Sequence, residues 1–163
     1  MIRKAALITA VTSMALLAGC AATQPAMDAS RPADAQLRAS LAAGIATPTI
    51  DANGHDMDPE VAKLFLDAFA QQAAKDGVRI VANGVPVKIT VEEYNARSTA
   101  ARLLLGVLVS GDHIKASVNV GVSSFVVEDS AKTTINGIGT VAKNVGFEAA
   151  NGVATLAGQP VAN

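Results

Sequence analysis

The sequence predicts an α+β domain with a mostly antiparallel sheet and one main amphipathic helix packed on it, after a flexible N-terminal tether. The first observation is a stripe of apolar residues at helical spacing from Val61 to Ala73. The second is the alternation of apolar and polar residues from Ile114 to Val122, which is typical of a half-buried strand. A helix followed by strands of this kind favours separate helical and sheet layers.

The predicted helix has a start signal and a stop signal. Asp58 stands at the N-cap position and is followed by Pro59, whose missing N–H costs nothing in the first helical turn. Lys63 and Asp67 stand four residues apart and can pair on the polar side. Gly77 is a natural C-terminal stop. The sequence therefore predicts a helix between Asp58 and Gly77.

A β-hairpin is predicted directly after this helix. With Asn83-Gly84 as a two-residue turn, the apolar residues of both arms share one face of the hairpin. The facing pairs are Ala82 with Val85, Ile80 with Val87, and Val78 with Ile89. Pro86 cannot donate a ladder hydrogen bond, so it suggests a sheet edge at this position. The second arm is expected to continue to about Tyr94.

Shorter signals complete the predicted sheet. A first short strand is expected from Thr49 to Asn53, before a turn at Asn53-Gly54. Up to Val122 the apolar residues occupy even-numbered positions, whereas Phe125 and Val127 occupy odd-numbered ones. This change predicts a bulge near Ser123-Ser124. A last strand is expected to end near Val141, and Val145 to Leu156 has only weak helical character.

Leu103 to Val109 is the most apolar run outside the N-terminal region. It is too short to span a membrane as a helix. A buried strand is the favoured interpretation. The alternatives are a helical turn and an exposed patch that binds a partner.

The N-terminus has the layout of a secretory signal peptide. Arg3 and Lys4 precede an apolar run from Ala5 to Leu17, and small residues follow. The closing Leu17-Ala18-Gly19-Cys20 resembles the lipobox of bacterial lipoproteins. That resemblance implies cleavage before Cys20 and a lipid on its thiol, and Ala21 after it implies the outer membrane, facing the periplasm. The alternative is an ordinary signal peptide, cleaved a few residues later, that leaves a soluble protein.

These signals divide the chain into a signal peptide over residues 1–19, a lipidated tether over 20–48 and an α+β periplasmic domain over 49–157. The tether contains Pro25, Pro32 and Pro48 between small and polar residues. A flexible spacer is favoured there. A short helix from Ala33 to Ala43, around Leu37 and Leu41, is the alternative.

The domain resembles a family of bacterial lipoproteins, the domain-of-unknown-function 4410 group. The resemblance covers about Ile45 to Val141 and includes the amphipathic helix and the long strand that ends near Tyr94. It also includes an Arg-apolar-Gly segment from Arg102 to Gly106, which continues to Gly111 and leads into the alternating strand. The resemblance implies a fold class and an envelope setting, and it implies no catalytic residues.

Composition argues against a nucleic-acid partner. The net charge is −1, basic residues are scattered, and the chain has no Trp. Cys20 is the only cysteine, so no internal disulfide can form, and lipidation explains the single thiol.

Two polar groups are candidates for chemistry. The first is a dense cluster, interpreted as a solvated turn that caps the helix, with a metal site as the alternative; its members are Asp51, Asn53, His55, Asp56, Asp58 and Glu60. The second is His113 beside Asp112, with Ser110 nearby. Because adjacent residues of a strand point apart, this is a weak catalytic pair.

The expected function is that of a non-enzymatic accessory or scaffold of an envelope assembly or transport system. The membrane is the expected partner, through the lipid on Cys20, with an envelope protein as a possible second partner. No cofactor, no metal and no catalytic residue are expected. One alternative is a binder of a small apolar or lipidic ligand between helix and sheet, and another is a hydrolase that uses His113.

Overall fold

A computed structural model describes residues 25–27, 33–97, 111–131 and 137–162 of the chain. Five strands and three helices lie in these ranges. In chain order they are β1 (Ala26–Met27), α1 (Ala35–Ala43), β2 (Thr49–Asp51), α2 (Pro59–Lys75), β3 (Val87–Asn95), β4 (Asp112–Val120), β5 (Ser123–Ala131) and α3 (Ile138–Ala157).

The strands form one sheet in the order β1-β5-β4-β3-β2. The pairs β1–β5, β5–β4 and β4–β3 are antiparallel, and β2 runs parallel to β3. The α+β class with a mostly antiparallel sheet is therefore confirmed.

The helices form a layer on one face of this sheet. α2 and α3 pack against each other, and α3 also packs against β4 and β5. Phe65 and Phe69 of α2 and Phe125 of β5 are the largest side chains that are completely buried between the layers. None of the described helices is long and apolar enough to cross a membrane.

α2 has the predicted boundaries. The Asp58 carboxylate accepts a hydrogen bond from the Glu60 N–H at 2.8 Å, so it caps the helix. Lys63 and Asp67 form the expected ion pair at 2.6 Å. This contact raises the pKa of Lys63, through its hydrogen bond and its charge interaction with Asp67.

The prediction of one main helix and of a last strand near Val141 is wrong. Val141 lies inside α3, where it is fully buried with Val145 and Val153. The glycines of α3 lower its helix propensity, which hides the helix in the sequence. Burial of an apolar stripe against the sheet and α2 overrides this local preference.

The predicted hairpin at Asn83-Gly84 is also wrong, because another segment lies between its two arms. Ile45 donates to the Arg79 carbonyl at 2.8 Å and accepts from the Val81 N–H at 2.8 Å. On its other side, Val85 donates to the Gly44 carbonyl at 3.0 Å. A Cβ on Gly84 would lie 2.1 Å from the Ile45 carbonyl carbon, so this close approach needs glycine.

Pro86 does not mark a sheet edge. It directly precedes β3, which pairs with β2 on one side and β4 on the other. The proline lies outside the ladder, so its missing N–H removes no strand hydrogen bond.

The phase shift after β4 comes from a two-residue turn and not from the predicted bulge near Ser123-Ser124. Val120 pairs with Ser123, and Gly121 and Val122 connect the strands. Gly121 has φ of 59°, a conformation that glycine adopts without a steric penalty. Because the turn has two residues, Ser123 faces Val120 and points to the buried face. The buried residues of β5 therefore have odd numbers, whereas those of β4 have even numbers.

The interpretation of residues 20–48 as a flexible spacer is wrong from Ala33 onward. α1 forms, with its N-cap Asp34 accepting from the Leu37 N–H at 2.7 Å. Leu37, Leu41 and Ile45 are buried in the core. The short-helix alternative is therefore the correct one, because these apolar side chains fill the sheet's core face.

The chain after α3 also has defined contacts. The Ala162 N–H donates to Asp76 at 2.8 Å, and its carbonyl accepts from the Gln72 side chain at 2.9 Å. Both side chains are buried at the end of α2. Residues 159–162 therefore join the C-terminal ends of the two long helices.

Candidate functional site on the open face of the sheet

The sheet has a second face, which does not belong to the buried core. We call it the open face. It is formed by outward-pointing residues of the three long strands, and none of them belongs to the hydrophobic cluster beneath the helices. Its residues are Lys88, Thr90, Glu93, Asn95, His113, Lys115, Ser117, Asn119, Ser124, Val126, Glu128 and Ser130.

Four charged or titratable side chains meet at one end of the open face. The Nε2 atom of His113 lies 3.4 Å from a Glu93 carboxylate oxygen and 3.9 Å from a Glu128 carboxylate oxygen. Lys115 donates to the other Glu93 oxygen at 3.4 Å. We call these four residues the charged quartet. Glu93 thus contacts both Lys115 and His113, and Glu128 lies near His113.

A bulge in β3 gives Glu93 its place in the charged quartet. Val91 pairs with Ala116, while Glu93 pairs with Lys115, so Glu92 is the extra residue. The insertion moves Glu93 onto the open face and turns Tyr94 toward the core. Without it, strand alternation would place Glu93 on the core face.

The other end of the open face carries short polar side chains. Thr90, Ser117, Asn119 and Ser124 lie here on adjacent strands. An ion pair between Lys88 and Asp51 at 3.1 Å borders this group. This end offers hydroxyl and amide groups, without aromatic side chains on which a sugar or base could stack.

His113 and Asp112 point apart, as expected for adjacent residues of a strand. Asp112 points to the opposite face, where it is completely buried. Its carboxylate accepts from the Arg97 backbone N–H at 2.8 Å and from the Arg97 guanidinium at 3.2 Å. Ser130 lies opposite His113 in the register of β4 and β5.

Arg97 ties together the ends of three strands. Besides Asp112 at the start of β4, its guanidinium donates to the carbonyl of Ala131 at the end of β5, at 3.1 Å. Only 2% of the Arg97 side chain is exposed. Sequence analysis missed this pair. The alternation of β4 could have indicated it, because Asp112 stands two residues before Ile114 and therefore points to the same buried face. A buried carboxylate needs a partner of opposite charge or a hydrogen-bond donor.

The predicted polar cluster around residues 51–60 is a capping turn. Asp51 accepts from the Asn53 N–H at 2.9 Å and pairs with Lys88. These two interactions lower the pKa of Asp51, with the backbone hydrogen bond as the larger cause. His55 Nε2 lies 3.1 Å from the Glu92 carbonyl. Within the described ranges, no group of three or more His, Cys, Asp or Glu side chains is placed to hold a metal ion.

Tyr94 packs between this capping turn and the core. Its ring lies 6.5 Å from the His55 ring, centroid to centroid. Burial is the main cause that raises the pKa of Tyr94, and the charge of Asp58 adds to the effect. A backbone hydrogen bond at Asp58 acts in the opposite direction.

α3 contacts the outer side of β5 beyond β1. The buried Glu148 accepts from the Glu128 N–H at 3.3 Å, and Asn144 donates to Asp129 at 2.8 Å. β1 has only two residues and does not pair with Glu128 or Asp129, so side chains of α3 contact the edge of β5 there instead. They protect that part of the edge from pairing with another chain.

The space between helix and sheet, where a small apolar ligand was the alternative prediction, is filled at its centre. The Phe125 ring packs so closely on Gly152 that a Cβ there would lie 2.2 Å from it. Between the two long helices, Gly146 lies equally close to the backbone of Phe65, with 2.3 Å from a built Cβ to the Phe65 carbonyl oxygen. A groove of about 300 Å³ is present on the outer surface between α2 and α3, next to Leu64 and Phe147.

Several predicted site residues lie outside the described part of the chain. They are Leu17, Ala18, Gly19 and Cys20 of the lipobox, Ser110, and the run from Leu103 to Val109. Lipidation of Cys20 and the nature of the apolar run stay predictions.

No protein-family model matches the sequence, and no curated protein matches it. Solved structures of PelC from Paraburkholderia phytofirmans, described as dodecamers, are similar to this chain. One has a TM-score of 0.50 at 16% identity and covers 76% of this chain and 91% of its own. A variant in another crystal form has a TM-score of 0.48 at 15% identity and covers 68% of this chain and 85% of its own. At such low identity the first likeness concerns the fold alone.

Proposed function

We propose that this protein is a bacterial outer-membrane lipoprotein and a non-enzymatic accessory or scaffold of an envelope assembly or transport system. The observation that carries the proposal is Leu17-Ala18-Gly19-Cys20, which follows a basic and apolar leader and contains the only cysteine of the chain. Several acyl chains on one residue anchor a protein stably, because each buried methylene contributes about 0.8 kcal/mol.

The polar groups of the domain support a structural role. Asp58 caps a helix, Asp112 is buried with Arg97, and Asp51 pairs with Lys88. The two glutamates of the charged quartet are more than half exposed, and its groups pair with one another. Each of these groups stabilises the fold or presents a polar surface, which suits a module that is recognised by other proteins.

A scaffold can be built from copies of one chain. The solved structures of similar fold are dodecamers, and we include self-association of this chain in the proposal. The mass of the detergent-solubilised lipoprotein, measured by light scattering, tests this part. A single-chain mass at micromolar concentration would contradict self-association.

The anchoring is tested by replacing Cys20 with Ser and fractionating the cells. The native chain is expected to sediment with the outer membrane, whereas Cys20→Ser is expected to stay with the inner membrane as an uncleaved precursor or to be released. Mass spectrometry of the native N-terminal peptide should show acylation of Cys20. Co-sedimentation of Cys20→Ser with the outer membrane would show that the lipid is not the anchor.

The accessory role is tested by cross-linking the lipoprotein in intact cells and identifying the captured proteins. The Cys20→Ser chain is the matched control, because it retains the domain and lacks the address. Capture of the same envelope proteins by the native chain only would support the proposal. Recovery of no envelope protein and of no second copy would contradict it.

A further inference from the structure

We infer that Asn53-Gly54 is a modification site, at which the folded protein loses ammonia, closes a succinimide ring and reopens it as isoaspartate or aspartate. The inference is independent of the lipidation proposed for Cys20. It comes from a comparison of Asn-Gly pairs, which react readily because glycine has no side chain to hinder attack by its main-chain nitrogen. The sequence contains four such pairs, with asparagine at positions 53, 83, 136 and 151, and position 136 lies outside the described residues.

The reaction needs only the chain itself, a base and one water molecule. The Gly54 nitrogen gives its proton to the base and forms a bond to the side-chain carbon Cγ of Asn53. The bond from Cγ to Nδ2 breaks, and Nδ2 leaves as ammonia after it takes up a proton. Water then opens the ring. Aspartate forms when the bond from the Gly54 nitrogen to Cγ breaks, and isoaspartate forms when its bond to the Asn53 main-chain carbonyl carbon breaks.

The structure leaves both reacting groups at Asn53-Gly54 accessible. The two residues are exposed and form the centre of a type I′ turn, with φ of 52° and 82°. One main-chain hydrogen bond closes this turn, from the His55 N–H to the Ala52 carbonyl at 2.9 Å. Among the described residues, none forms a hydrogen bond with the Gly54 N–H or with the Asn53 side-chain amide. Ring closure therefore requires the opening of one exposed turn and disrupts no helix or strand.

Asn83-Gly84 lies in a tighter environment. The Gly84 N–H donates to the Val81 carbonyl at 3.3 Å. Gly84 also packs on the main chain of Ile45, where a built Cβ would lie 2.1 Å from the carbonyl carbon, whereas a Cβ on Gly54 would meet nothing within 4 Å. Attack by the Gly84 nitrogen would break its hydrogen bond and displace this segment from Ile45. We therefore expect slower reaction at Asn83 than at Asn53.

Asn151-Gly152 is protected most strongly. Gly152 lies well inside α3, so its N–H belongs to the helical hydrogen-bond ladder. A Cβ built on Gly152 would lie 2.2 Å from the Phe125 ring, so no space is left for a new ring on this side. Ring closure at Asn151 requires local unfolding of α3, and a helix packed into the core opens rarely.

The local sequence cannot explain such a difference. Each of the three described pairs follows an alanine, so all three read Ala-Asn-Gly. The carboxylates of Asp51 and Asp56 disfavour the negative charge that forms on the Gly54 nitrogen, but they are two and three residues from Asn53 and stay nearby in the unfolded chain. In the folded protein Asp51 is also paired with Lys88 at 3.1 Å.

Site-resolved mass spectrometry of the full-length protein tests the inference. The protein is incubated in mildly alkaline buffer, where more of the attacking nitrogen is deprotonated, and is digested at mildly acidic pH. Reaction at Asn53 is expected to exceed that at Asn83 at least about threefold and that at Asn151 at least about tenfold. In concentrated urea the three sites should agree within about twofold, because the structural protection is lost.

Equal native rates at Asn53 and Asn151, or the fastest reaction at Asn83, would overturn the inference. A preference for Asn53 that persists unchanged in urea would also overturn it, because the local sequence would then be the cause. Asn53→Gln is expected to remove most of the isoaspartate that a methyltransferase assay detects, together with the acidic species seen in anion exchange. Asn83→Gln is the matched control and should leave both signals unchanged. Full retention of both signals in Asn53→Gln would contradict the assignment.

Discussion

Successive residues of β4 lie in two different environments. Ile114, Ala116 and Val118 point into the core and are completely buried, whereas Lys115 and Ser117 point to the open face and are partly exposed. On the core face, shape complementarity and charge neutralisation must both be satisfied. On the open face, water competes for every polar contact. The comparison predicts that equal chemical changes have very unequal effects on the two faces.

The largest effect is expected from Asp112→Ala on the core side. This change leaves the Arg97 guanidinium buried without its carboxylate, which typically costs about 3–5 kcal/mol. Urea unfolding of the variant should show this loss. The double variant Arg97→Met with Asp112→Leu should recover most of it, because both charges are then absent. A loss below about 1 kcal/mol for the single variant would contradict a buried, tightly paired Asp112.

The next effect is expected from Gly152→Ala in α3. The new Cβ would lie 2.2 Å from the Phe125 ring, so helix or strand must shift, at a cost of about 1–3 kcal/mol. Gly139→Ala is the control in the same helix. There the Cβ would meet the tip of Leu64 at 3.2 Å, and position 139 lies in the first turn of α3, so a change within about 0.5 kcal/mol is expected. Only Gly152→Ala is expected to lower the midpoint of thermal unfolding clearly, and equal shifts would refute the close packing at Phe125.

A smaller effect is expected from Glu93→Gln on the open face. The carboxylate is more than half exposed, and exposed ion pairs contribute about 0.2–1 kcal/mol. The loss should shrink further at high salt, where screening weakens the pairs with Lys115 and His113. Urea unfolding at two salt concentrations measures both quantities. A salt-independent loss above about 2 kcal/mol would mean that this part of the open face is covered.

The smallest effect concerns the pH dependence of stability at Tyr94. Because its pKa is raised in the folded state, the unfolded chain releases this proton first, and the free energy of unfolding falls as pH rises above about 10. Tyr94 is the only tyrosine, so phenolate absorbance reports it alone. The titration midpoint should be higher in the native protein than in urea. Coincident midpoints would refute the protected environment.

Local signals predicted α2 because its cap, its proline and its apolar stripe all agree with the tertiary structure. α3 contradicts its own local signals, since Gly146 and Gly152 lower helix propensity and are needed for close packing against Phe65 and Phe125. The prediction of a hairpin at Asn83-Gly84 is wrong for another reason. Ile45 precedes its arms by more than thirty residues, and no local pattern announces a segment that inserts from such a distance.

The candidate site was predictable only in part. The alternation of β4 correctly separated His113 from Asp112, and the same alternation could have identified Asp112 as a buried charge. The charged quartet could not be anticipated, because it depends on a bulge at Glu92 and on the register of three strands. The lipobox-like stretch is a local motif, which is why the residues alone predict lipidation of Cys20, and this stays a prediction.

The position of Ile45 has a consequence for the order of folding. Its main chain bonds to Arg79 and Val81 on one side, and Val85 closes on its neighbour from the other side. The segment from Arg79 to Val85 therefore packs around Gly44 and Ile45, which the ribosome has made more than thirty residues earlier. Contacts between residues so far apart in the sequence form slowly, because closing the intervening loop costs conformational entropy before the contacts can form. This part of the fold can therefore be completed only after α2 and the residues up to Val85 have been synthesised.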